Sequence, residues 1–187
     1  MADTNFFELK ICGLKRKLPL IPISPKTKIA SFNLLGDTEL TEKVATNLAK
    51  KLKKYTFDFL VGPEVKVVPL IHELSRRLGH RKYVICRKSV KPYMISPVVL
   101  KPLSYFPKHV RPLVIDGADK ELLTGKKVVI VDDVVSTGVT LRMIRHLMEK
   151  VGAEVVACVA IIRQGEKQFD EIENFIYLSE LPIFKKD

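Results

Sequence analysis

At 187 residues with 47% apolar side chains, the chain suits one domain with a substantial core, and it is too apolar to be disordered. Its 32 basic residues against 21 acidic ones give a net charge of +11, which favours anionic partners without choosing among them. No apolar run nears the roughly 18–20 residues that cross a bilayer, and MADTNFFELK lacks the basic and apolar regions of a signal peptide, so a cytoplasmic protein without a membrane partner is expected.

In chain order, residues 6–32 read as short strands and turns, punctuated by Gly13, Pro19, Pro22 and Pro25. Cys12, Cys86 and Cys158 are odd in number and lack CxxC spacing, which predicts buried structural thiols rather than disulfides or a zinc site. Asp37 and Thr38 open a helix to about Lys54, with Leu40, Val44, Leu48 and Leu52 as its buried stripe. Lys50, Lys51, Lys53 and Lys54 end it where cations suit the helix dipole, so they read as a solvated terminus.

Phe57–Gly62 follows as an apolar strand, Pro69–Leu78 as a helix closed by Gly79, and Tyr83–Cys86 as a second strand. That order specifies a βαβ unit and a parallel sheet. Residues 88–115 break the rhythm. The stretch is basic and Pro-rich, has no carboxylate, and predicts a mobile hairpin returning through Leu113–Asp116. The parallel pattern resumes with strand Val128–Val131, helix Val139–Val151 capped by Gly152, and strand Val155–Ile162. A last strand, Phe175–Leu178, leads into SELPIFKKD. The expected architecture is a Rossmann-like α/β core with a parallel sheet, plus a small hood lobe built from residues 1–32 and about 179–187.

VVIVDDVVSTGVT, Val128–Thr140, carries the chemistry. Its strand would end where ligands bind in open α/β sheets, presenting Asp132 and Asp133 together. The short loop that follows would supply the free N–H groups of a helix start, with Ser136, Thr137 and Thr140 as hydroxyl donors and Gly138 allowing close approach. Such a cradle suits a sugar phosphate. Neither GxxxxGK[ST] nor GxGxxG occurs, and His72, His80, His109 and His146 lack metal-ligand spacing.

All 13 positions of this segment resemble the 5-phosphoribosyl-1-pyrophosphate (PRPP) motif of the type I phosphoribosyltransferases. Gly62–Val67 is similar to the pyrophosphate loop of the adenine members, with Val67 standing where glycine is usual. Arg87-Lys88 and Lys91-Pro92 resemble the segment leading into their catalytic loop. Two further segments, Ile29–Leu40 and Leu103–Gly117, also look like xanthine phosphoribosyltransferases in layout.

The resemblance implies transfer of a phosphoribosyl group from PRPP to a purine, with Mg²⁺ as cofactor and a homodimer as the working form. Asp132 and Asp133 would orient the ribose and hold Mg²⁺, directly or through water, with Lys91 as a further catalytic residue. Val134, Val135, Ser136, Thr137, Gly138, Val139 and Thr140 would bind the 5′-phosphate. Glu64, Val65, Lys66, Arg87 and Lys88 would meet the pyrophosphate, and Ile29, Phe32, Asn33 and Phe184 the base. The segments Ile29–Asn33 and Leu181–Phe184 contain no basic residue to meet a 6-oxo group, which favours adenine over xanthine, guanine or hypoxanthine. A PRPP-binding regulator with this fold is the alternative from another class, and nucleic acid is not an expected partner.

Overall fold

The computed structural model describes residues 5–102, 110–165 and 173–185. Five parallel strands form the central sheet in the order β10-β9-β8-β4-β5, namely Phe175–Leu181, Glu154–Gln164, Lys127–Val135, Phe59–Pro63 and Val84–Cys86. Helix α2 (Val68–Leu78) follows β4 and packs with α1 (Thr38–Leu52) on one face. Helix α4 (Val139–Lys150) follows β8 and packs on the other. The chain therefore leaves neighbouring strands β4 and β8 in opposite directions, and this opens a crevice at their carboxyl ends.

Helix α1 forms as its stripe dictates. Leu40, Val44, Leu48 and Leu52 are at most 1% exposed, and Asp37 caps the start by accepting from the Leu40 N–H at 3.0 Å. Leu48→Ala should lower unfolding free energy by about 2–5 kcal/mol, because the site is sealed on all sides. Urea unfolding would register it as a lower midpoint at unchanged slope.

A second sheet, antiparallel, runs β1-β2-β3-β11, from Phe6–Ile11, Leu14–Ser24, Thr27–Ala30 and Ile183–Lys185. The tail thus pairs with the N-terminal strands. Cys12 and Gly13, with φ of 51° and 80°, make the two-residue turn between β1 and β2. Cys12 is therefore only half-buried, against the expectation for all three thiols; Cys86 and Cys158 are buried. Burial pushes the Cys158 thiol up to about 11 and Cys86 up to about 12, so neither is a ready nucleophile.

Two short strands, β6 (Val98–Leu100) and β7 (Leu113–Ile115), pair antiparallel at the base of the predicted hairpin. That base is anchored. Ile95 N–H donates to Asp116 Oδ1 at 3.2 Å, Gly117 N–H to the Ile95 carbonyl at 3.0 Å, and Lys150 Nζ to the Val99 carbonyl at 3.0 Å. The centre of the predicted hairpin, residues 103–109, lies outside the described residues, as do residues 1–4 and 186–187 of the predicted hood. Helix α3 (Gly117–Leu123) departs from the sequence expectation: seven residues are too few to show a helical period.

Candidate active site

Strand β8 runs further than its apolar run indicates, through both aspartates to Val135. Asp132 and Asp133 are thus held by the ladder to β9 at the crevice, 6% and 8% exposed. The Asp133 N–H donates to Asp132 Oδ1 at 2.8 Å, and the Val134 N–H to Asp133 Oδ1 at 2.9 Å. Asp133 Oδ2 is buried with no hydrogen-bond partner among the described residues. Burial first, then the neighbouring Asp133 charge, pushes the Asp132 carboxyl well above its ordinary range, while Lys88 pulls it back.

Ser136–Gly138 then turns the chain into α4. Gly138 takes φ 70° and offers no side-chain cap; the Val139 N–H makes a long 3.5 Å contact to Thr137 Oγ1, and the helix start still points its next N–H groups at the turn. Asp132, Val134, Val135 and residues 136–141 enclose a cavity of about 120 Å³ there. Free amides, hydroxyls and a helix start make it an anion cradle.

On the other side of the crevice, the loop after β4 carries Glu64, Val65 and Lys66, with a cis Glu64–Val65 peptide. Val65 and Lys66 are exposed. Val67 is 1% exposed: its side chain turns into the core, which accommodates valine at this position. The Glu64 carboxylate is already engaged. It accepts the Lys88 N–H at 2.7 Å and lies 2.6 Å from Arg87 Nε, a contact too poorly directed for an N–H hydrogen bond. Glu64 therefore ties the two basic residues to its own loop.

Lys88 lines a cavity of about 320 Å³ with Pro63, Arg111, Thr137 and Thr140. Sequence reasoning does not single out Arg111; its only signal is membership of the carboxylate-free stretch. Lys91 donates to Ser89 Oγ at 2.8 Å. Among the base candidates, Ile29 lies half-buried between Ile21 and Ile183 in the second sheet. Phe32 is a core residue at 4% exposure. Asn33 accepts the Leu35 N–H at 3.2 Å, and Phe184 meets Phe7 edge-on at 5.7 Å.

Among the described residues no cluster of three or more side chains could hold a metal alone. The unpartnered Asp133 oxygen and the adjacent Asp132 fit Mg²⁺ shared with substrate oxygens and water.

The model of the phosphoribosyl transferase domain matches residues 34–186. The chain belongs to this family. An adenine phosphoribosyltransferase of Thermosipho africanus is 34% identical over 130 residues, covering 69% of this chain and 72% of that one. A hypoxanthine/guanine phosphoribosyltransferase of Methanotorris igneus is 33% identical over 145 residues, covering 78% and 72%. The crystal structure of the adenine phosphoribosyltransferase from Thermoanaerobacter pseudethanolicus superposes with a TM-score of 0.66 at 26% identity, over 94% of this chain and 95% of that one. The phosphoribosyltransferase fold thus accounts for the parallel sheet and the crevice at its carboxyl ends.

Proposed function

We propose that this phosphoribosyltransferase salvages adenine, converting adenine and PRPP to AMP and pyrophosphate. The observation that carries the reaction is the buried Asp132–Asp133 pair beside an uncapped helix start. In this reading Asp132 and Asp133 accept hydrogen bonds from the ribose hydroxyls, and residues 134–140 hold the 5′-phosphate. Lys66, Arg87, Lys88 and Arg111 face the departing pyrophosphate, with Glu64 as a positioning residue. Bound Mg²⁺ would supply charge neutralisation at the phosphate oxygens. Positive charge on the ribose and negative charge on pyrophosphate both develop next to groups already in place, which is where preorganised electrostatics acts.

Adenine is favoured because Ile29–Asn33 and Leu181–Phe184 bring backbone groups and no basic side chain. The names of several relatives point the same way. The proposal includes a cytoplasmic homodimer, in keeping with the family resemblance. Pyrophosphate release measured with adenine, guanine, hypoxanthine and xanthine supplied separately tests the base. Faster turnover of any oxopurine than of adenine would refute it.

Glu64→Gln should raise the KM for PRPP and lower kcat/KM by roughly 2–10-fold, the scale of one part-exposed charged contact. Unchanged PRPP kinetics would remove Glu64 from the positioning role.

A further inference from the structure

Besides the two aspartates, one buried polar side chain among the described residues lies at the carboxyl end of the sheet. Gln164 ends β9 and is 6% exposed. Its Nε2 donates to the Ala30 carbonyl of β3 at 3.3 Å, bridging the central sheet to the second one. Ala30 adjoins the base candidate Ile29. The next residue, Gly165, lies against Ile183, beside the base candidate Phe184: a Cβ there would fall 2.8 Å from Ile183 Cδ1. Gln164 therefore stands between the proposed base segments and the strand that carries the acids.

A backbone carbonyl only accepts, so the contact with Ala30 fixes which end of the amide faces it. The nitrogen is committed and the oxygen is turned away. Gln164 Oε1 makes no hydrogen bond among the described residues, and it is not among the sealed polar atoms that lack partners. It is left as an oriented acceptor without a partner among the described residues.

We propose that Gln164 is a specificity-determining residue whose Oε1 accepts a hydrogen bond from the exocyclic amino group of the base. This rests on the adenine reading above. An amino group satisfies the fixed acceptor. A 6-oxo group would set oxygen against oxygen, and the amide cannot turn over without losing Ala30. A site built around a committed polar partner rejects an analogue that cannot pair with it.

Gln164→Met keeps the length of the side chain and removes the acceptor. Steady-state kinetics with adenine and hypoxanthine should show the adenine-to-hypoxanthine ratio of kcat/KM falling about tenfold, with the KM for PRPP unchanged. Gln164→Glu keeps an acceptor but cannot donate to the Ala30 carbonyl, so it should lose the fixed orientation and with it most of the adenine preference. A merely structural role would lower both bases equally. An unchanged ratio in a wild-type enzyme that prefers adenine overturns the role of Gln164 alone. Wild-type preference for an oxopurine overturns the adenine reading and this inference together.

Discussion

Asp132→Asn and Asp133→Asn should each lower kcat/KM by tenfold or more, since loss of a charge-assisted hydrogen bond costs about 1.5–3 kcal/mol. Asp132→Asn should also make the unliganded protein more heat-stable at neutral pH. Burial and Asp133 raise the folded-state pKa of Asp132 above its unfolded value, so the native state binds the proton more tightly. Stability contributed by this group is then lost as pH rises from the unfolded value, about 3.9, through the raised folded one. Asparagine carries no such dependence, so the advantage of the variant should grow across that window. Thermal melts from pH 4 to 8, beside steady-state rates, measure both effects. Wild-type activity in both variants would remove the aspartates from the site.

Gly62→Ala should lower kcat/KM by about a hundredfold, the scale for displacing catalytic groups by roughly 1 Å. A Cβ on Gly62 would lie 2.7 Å from the Val131 carbonyl oxygen and 3.0 Å from Val67 Cγ1. The first neighbour is the backbone of the adjoining strand, which cannot rotate away. Strands β4 and β8 must part, and each leads into one wall of the crevice. The same strain should cost about 1–3 kcal/mol of stability. Rates taken well below the melting temperature separate misplacement from unfolding. A folded variant with wild-type kcat/KM would show that the strand spacing is not critical.

What can be read from the sequence is mostly local. The cap at Asp37, the stripe of α1, the Gly79 stop and the start of α4 at Val139 each lie within a few turns of chain, and each stands as read. What escapes depends on distant partners. Strand β8 outlasts its apolar run because β9 continues to pair with it through Val135. Arg111 reaches the crevice only through the fold of the hairpin base. The Glu64 carboxylate is spent on Arg87 and Lys88, a pairing that residue types alone do not reveal. Phe32 reads as a stacking surface because an aromatic residue in a loop looks the same whether it faces a ligand or the core.

The pairing of β11 with β3 has a consequence for the order in which the molecule assembles. Ile183 meets Ile29 across on the order of 150 residues of chain, a closure costlier in entropy by roughly 1–2 kcal/mol than the shortest of those within the βαβ units. Contacts so distant in sequence tend to form late. The proposed phosphate cradle, made from one strand, one turn and one helix, needs no such closure. During refolding the chain should therefore acquire its grip on a phosphate before it can tell one base from another.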